Sequence, residues 1–191
     1  CPYYNKPTQD GMYKHFKVIA ETDDLPQILY NVPGRTITDI SNDTVLKLSE
    51  ITNIIGLKDA TADLERVSDL LGRVKEDFAI YSGDDGTALA LMMLGGHGII
   101  SVTANIVPKM VSEMCDLTLG DIDLQGARRI NRRLVDLNRA LFVEANPIPV
   151  KWALCAMGRI SSGIRLPLTA MSSQLEAGMR GAMIEAGLDI K

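Results

Sequence analysis

Aromatic residues make up only 5% of this 191-residue chain, and histidine occurs twice. The three cysteines, Cys1, Cys115 and Cys155, are odd in number and widely spaced. That pattern excludes a disulfide framework and a metal-ligand repeat, and it points to a reducing, cytoplasmic setting. No apolar run approaches the roughly 20 residues a membrane-spanning helix needs, and no signal peptide is recognisable. The formal net charge is −4 with the two signs interspersed. There is thus no basic stripe for nucleic acid and no basic amphipathic segment for a membrane surface. A G-x-G-x-x-G turn is also missing after every apolar run, which argues against a dinucleotide site. Neither Met nor a polar lead-in opens the chain. Its start, Cys1-Pro2-Tyr3-Tyr4, reads as though cut from something longer.

What is present is an alternation of short apolar runs and amphipathic stretches. The runs 26–32, 54–58, 78–82 and 98–102 are near-continuously apolar, as expected of parallel strands covered by helices. Between them, 9–21 places Met12, Phe16 and Ile19 at helical spacing. Helix 41–48 begins at an N-cap, Ser41 or Asp43. Leu64, Val67, Leu70 and Leu71 repeat along 64–74, and 86–94 ends at Gly95-Gly96, a glycine C-cap. Sequential strand–helix units imply a parallel sheet, either doubly wound or a barrel. After about residue 108 only helices follow, over 110–117, 124–142, 150–157 and 172–186, punctuated by Pro147, Pro149 and Pro167. The expected fold class is α/β, with residues 1–122 forming four βα units and residues 123–191 an all-helical domain.

Lys58 is the sharpest feature, because it ends an apolar strand, where βα folds carry their chemistry. A partly apolar strand-end mouth favours the neutral amine that Schiff-base formation requires. Pairing with Asp59 is the structural alternative, and position alone leaves both open. Tyr30 ends the preceding strand, within reach of Lys58 if the strands are neighbours about 4.8 Å apart. Its phenol can shuttle the proton for carbinolamine dehydration; a core tyrosine is the alternative. Arg35 follows the Pro33-Gly34 turn and suits a bidentate clamp on a carboxylate, unless it is simply solvated. In Ser82-Gly83-Asp84-Asp85-Gly86, helix capping is the safer reading of the aspartates, and no third metal ligand lies at a sensible spacing. His97 precedes a strand and reads as structural. His15 lies on a helix and reads as ordinary, and the nine Met residues read as core filler.

Taken together, several segments resemble the dihydrodipicolinate synthase family, within the pyruvate-dependent class I aldolase (N-acetylneuraminate lyase) superfamily. They are Pro2-Tyr3-Tyr4-Asn5-Lys6-Pro7, Tyr30-Asn31-Val32-Pro33-Gly34-Arg35-Thr36, Gly56-Leu57-Lys58-Asp59-Ala60-Thr61 and Ser82-Gly83-Asp84-Asp85. The stretches from Gly95 to Asn105 and from Phe142 to Lys151 complete the set, in order, along the whole chain. The resemblance implies the second half of a (β/α)₈ barrel, about strands 5–8, followed by a helical domain. It implies a lyase that condenses pyruvate with L-aspartate 4-semialdehyde in lysine and diaminopimelate biosynthesis. Such an enzyme needs no cofactor beyond the covalent imine, and is commonly a homotetramer of tight dimers. Lys58 then matches the Schiff-base lysine and Tyr30 the proton-relay tyrosine. Tyr4 matches a second tyrosine donated across the tight-dimer interface. Arg35 matches the arginine that binds the aldehyde's carboxylate. Gly83 and Ile100 match residues whose backbones line the pyruvate site.

The departure is at the N-terminus. The family's first four strands, with a Thr-Thr pair whose first member links the two tyrosines, have no counterpart here. Most of the pocket for feedback inhibition by lysine is missing too, Tyr3 corresponding to one residue of it. Arg35 speaks against a polyhydroxylated substrate of the N-acetylneuraminate lyase kind. Retention of Tyr4, Tyr30, Arg35 and Lys58 together speaks against a catalytically inactive homologue. Expressed alone, the chain is expected to be inactive and to associate through open sheet edges.

Overall fold

The computed structural model describes residues 1–190. Two compact units divide the chain, one spanning Cys1–Ile100 and the other running from Ser101. Within the second unit the first α-helix after Ser101 packs against its successor.

The first unit is an α/β layer built on a four-stranded parallel sheet in the order β1-β2-β3-β4. Helix α1 (Gln9–Thr22) precedes β1 (Gln27–Asn31), and Thr8 caps α1 by accepting from the Gly11 amide. After β1 comes one helical turn, α2 (Pro33–Thr36), where the Pro-Gly pair suggested a simple turn. Proline is at home at the first helical position, which lacks an intrahelical N–H bond anyway. Then follow α3 (Asn42–Ser49), β2 (Ile54–Asp59), α4 (Leu64–Leu71), β3 (Ala79–Ser82), α5 (Ala88–Met93) and β4 (Gly98–Ile99). Ser41 is the cap of α3, its hydroxyl accepting from the Thr44 amide at 3.3 Å. Strand β4 is shorter than the run 98–102, since the chain turns into a 3₁₀ segment at Thr103–Asn105.

The two faces of this sheet differ. On one face Leu29, Leu57 and Ile80 are almost fully buried and pack with Met12, Val45, Leu48, Val67 and Leu70 of the covering helices. Full burial of each such side chain contributes about 1.5–3 kcal/mol. In α1 the buried stripe runs Met12, Ala20, with Phe16 partly buried, and Ile19 is 43% exposed. The expected Met12–Phe16–Ile19 stripe is therefore corrected by one position at its end. The opposite face is open, with Ile28, Tyr30 and Ile100 each about two-fifths exposed. Register sets these faces: Tyr30 lies beside Lys58, and Lys58 beside Tyr81. The β1–β2 ladder carries one shift, Gln27 pairing with Ile54 but Ile28 with Gly56, which leaves Ile55 unmatched.

The second unit is helical. It contains α6 (Pro108–Leu119), α7 (Leu124–Ala140), α8 (Ile148–Ala156) and α9 (Ser173–Glu185). Asp123 caps α7, and Ala127, Ile130, Leu134 and Leu137 form its buried stripe at spacings of three and four. A buried hydrogen bond from Thr103 Oγ1 to Asn138 Oδ1, 2.7 Å, ties the 3₁₀ segment to α7. Among the described residues, no helix is long and apolar enough to cross a membrane.

Candidate active site

The candidate residues collect at the C-terminal ends of the strands, on the open face of the sheet. Lys58 Nζ lies 4.1 Å from the centroid of the Tyr30 ring. The contact follows from the ladder, which puts both residues side by side on neighbouring parallel strands. A ring face attracts an ammonium. No described carboxylate forms an ion pair with Lys58. Asp59, the alternative partner, points to the covered face and is 3% exposed. It lies 3.5 Å from Arg66 Nε, and accepts from Thr61 N at 2.7 Å and Thr61 Oγ1 at 2.5 Å. The strand period of two thus separates the amine from the carboxylate next to it in sequence.

Gly83 follows β3, its amide donating to the Asp59 carbonyl at 2.6 Å. A Cβ at this position would stand 2.8 Å from Ala60 Cβ and 3.0 Å from Lys58 Cε. The glycine therefore lets the backbone close against the lysine stem. Ile100 continues from β4 and donates its amide to the Ser82 carbonyl at 2.9 Å, which brings that backbone to the same strand ends. Ser82 Oγ accepts from the Asp84 amide, and Asp84 Oδ2 accepts from Thr87 N and Oγ1, closing the turn ahead of α5. The aspartate thus works in the turn and not as the helix cap that the sequence suggested, since the cap position of α5 is Thr87, with no side-chain cap bond. Among the described residues no group of His, Cys, Asp or Glu is placed to hold a metal ion. His97 sits at the N-terminal end of β4, exchanging bonds with Ile80: its amide donates to Ile80 O and its Nδ1 accepts from Ile80 N.

Arg35 is exposed on α2, one turn beyond the end of β1. The turn closes at Ile37, whose φ of 60° is left-handed and whose side chain is 72% exposed. Tyr4 is 87% exposed. The fold therefore gathers Tyr30, Lys58, Gly83 and Ile100 at one set of strand ends, with Arg35 on the adjoining turn and Tyr4 out in solvent.

Three residues here escaped the sequence reading: Asn31, Asp39 and Arg66. Asn31 Nδ2 donates to Asp39 Oδ1 at 2.7 Å, and Arg66 Nη1 donates to both oxygens of Asp39 at 2.8 and 2.9 Å. Arg66 Nη2 also donates to the Ile40 carbonyl. One signal was available, since polar Asn31 and Asp59 alternate with Tyr30 and Lys58 and so had to face the covered side.

The model of the dihydrodipicolinate synthetase family matches residues 1–185. The chain belongs to that family. It is 61% identical to the 4-hydroxy-tetrahydrodipicolinate synthase of Nitrosospira multiformis over 189 residues, which cover 99% of this chain and 63% of that protein. The synthase of Nitrosomonas eutropha is 61% identical over 190 residues, covering 100% and 65%. Among solved structures, the chloride-inhibited dihydrodipicolinate synthase of Acinetobacter baumannii, complexed with pyruvate, superposes with a TM-score of 0.94 at 54% identity. That match covers 97% of this chain and 64% of the other. The Aquifex aeolicus dihydrodipicolinate synthase gives 0.95 at 44% identity, over 100% and 65%. The chain thus spans less than two-thirds of the length of these family members.

Proposed function

We propose that this chain supplies the C-terminal two-thirds of a 4-hydroxy-tetrahydrodipicolinate synthase, a lyase joining pyruvate to L-aspartate 4-semialdehyde. The reading makes residues 1–122 the second half of a (β/α)₈ barrel and residues 123–191 its helical domain. The observation that carries it is the placement of Lys58 Nζ over the Tyr30 ring at a strand's C-terminal end, with Gly83 closed against the lysine stem. The names of the curated relatives and the pyruvate in the Acinetobacter complex support the choice of substrates.

The neutral Lys58 amine attacks the ketone carbon of pyruvate, giving a carbinolamine. The Tyr30 phenol protonates its hydroxyl, water leaves, and an iminium forms. Loss of a methyl proton gives the enamine, whose carbon attacks the aldehyde carbon of the semialdehyde. The semialdehyde's own amine then displaces Lys58 at the imine carbon, closing the ring and freeing the lysine. One water is released overall and no redox partner or cofactor is consumed. Arg35 clamps the semialdehyde's carboxylate. Tyr4 enters the site of a neighbouring subunit, in a cytoplasmic homotetramer of tight dimers, a role its exposure suits. The backbones of Gly83 and Ile100 line the pyruvate end.

The test uses a full-length enzyme made by joining the N-terminal segment of the Nitrosospira relative to this chain. Pyruvate with borohydride freezes the imine as a secondary amine, and peptide mapping is expected to place the adduct on Lys58. An adduct on another lysine, or none, ends the proposal.

A further inference from the structure

The open face carries the reactive amine, and the covered face directly behind it carries charge. Asn31 is 0% exposed and Asp59 3% exposed, the next residues along from Tyr30 and Lys58. Asp39, on the segment between α2 and α3, joins the first. Arg66 of α4 spans the set: its Nη1 holds the Asp39 carboxylate, its Nη2 the Ile40 carbonyl, and its Nε faces Asp59. The Arg66 and Asp59 side chains are 15% and 2% exposed, so that pair is shielded from water, while the Asp39 carboxylate, 48% exposed, meets solvent at the other end of the guanidinium. Buried charges are costly unless paired, and a hydrophobic replacement of the whole set often costs nothing in stability. Such a set therefore invites a role other than stability.

We propose that Arg66 is a positioning residue, acting through Asp59 on Lys58 and through Asp39 and Ile40 on the turn that carries Arg35. One guanidinium thereby fixes the distance between the imine-forming amine and the carboxylate clamp. Lys58 hangs from the strand end that Asp59 anchors, and Arg35 sits on the one-turn helix that leads to Asp39. A planar fork holds both anchors in a fixed relative geometry, which a flexible lysine cannot do. At Asp59 the pair is open: Oδ2 and Arg66 Nε, 3.5 Å apart, are both buried and make no hydrogen bond. The tie there is ionic, while at Asp39 the single nitrogen Nη1 donates to both carboxylate oxygens. This inference rests on the reading of Lys58 as the imine-forming residue.

Its test compares Arg66→Met, Arg66→Lys and the double variant Asp59→Asn/Arg66→Met with the parent full-length enzyme. The measurements are the rate of borohydride trapping on Lys58, kcat, KM for pyruvate, and the melting midpoint. Arg66→Met is expected to slow trapping and kcat about tenfold, because misplacement of reacting groups by about 1 Å can cost up to a hundredfold. KM for pyruvate stays within about twofold, and Arg66→Lys falls between. Arg66→Met also melts lower, since it strands the Asp59 carboxylate. The double variant removes that stranded charge, so it regains the midpoint while remaining slow. Should Arg66→Met fold too poorly to assay, the double variant alone makes the comparison. If the double variant regains speed together with its midpoint, Arg66 is merely structural and the inference falls. Parental trapping speed in folded Arg66→Met overturns it equally. A parent that forms no adduct on Lys58 defeats the functional reading itself, an outcome read before any variant is made.

Discussion

Adding one methyl group at Gly83 is the most direct challenge to the proposed site. The Cβ of Gly83→Ala would stand 2.8 Å from Ala60 Cβ, 3.0 Å from Lys58 Cε and 3.2 Å from the Asp59 carbonyl oxygen. Carbon atoms pack at about 3.5–4.0 Å, so the contact with Ala60 must open by about 0.7 Å and that with Lys58 by about 0.5 Å. Ala60 Cβ and the Asp59 carbonyl belong to rigid backbone, whereas the lysine stem can swing. Most of the adjustment therefore falls on Lys58. Overpacking of this kind costs about 1–3 kcal/mol, and moving the amine by a fraction of an ångström is expected to slow imine formation by about tenfold to a hundredfold. Tenfold corresponds to about 1.4 kcal/mol of barrier. The assay is the rate of borohydride trapping at saturating pyruvate, well below the melting midpoint. Gly34→Ala is the control, because a Cβ there meets nothing within 4 Å, and it should trap at the parental rate. A Gly83→Ala enzyme that traps as fast as its parent would refute the packing argument.

Three further outcomes can be checked with the same protein. Arg35→Ala should lower kcat/KM for the aldehyde by one to two powers of ten, the worth of a charge-assisted contact of roughly 1.5–3 kcal/mol, while pyruvate trapping is unchanged; equal losses would make Arg35 structural. Ile37→Gly should raise the melting midpoint. A left-handed branched residue costs about 1–2 kcal/mol, more than the roughly 0.4–1 kcal/mol of unfolded-state entropy that glycine adds, and little burial is lost at 72% exposure; a fall in the midpoint would contradict this. The 191-residue chain expressed alone should self-associate and show no synthase turnover. Strands β1 and β4 are the sheet's edges, and the open face exposes Ile28, Tyr30 and Ile100. A monodisperse, active monomer in sedimentation would overturn that expectation.

Much of the first unit was readable from residue order. Strands β1 to β3 stand out because continuous apolar runs have few other fates, and Ser41 announces α3 because its hydroxyl satisfies a helix amide. Lys58 and Tyr30 were visible as candidates because they terminate such runs. The rest depended on long-range geometry. That Arg66 would meet Asp39, 27 positions earlier, follows from how α4 lies on the sheet and not from local pattern. Exposed Ile19 against buried Ala20 is a question of helical phase, which hydrophobicity alone settled wrongly. The need for glycine at position 83 became evident only when the neighbouring loop at Ala60 was placed against it.

The unmatched Ile55 has a consequence for how this strand tolerates change. Ile54 and Leu57, three apart, both turn toward the helices, which a regular period of two forbids; the extra residue between them resets the count. Strand β2 is in effect written in two reading frames, one entering the sheet and one leaving it, and Lys58 belongs to the second. Substitutions among the apolar residues of this strand leave the frame alone. An insertion or deletion of a single residue between Ile54 and Leu57 does not, because it sets the register of Ile54 against that of Leu57 and Lys58. In this segment length is therefore more tightly constrained than identity.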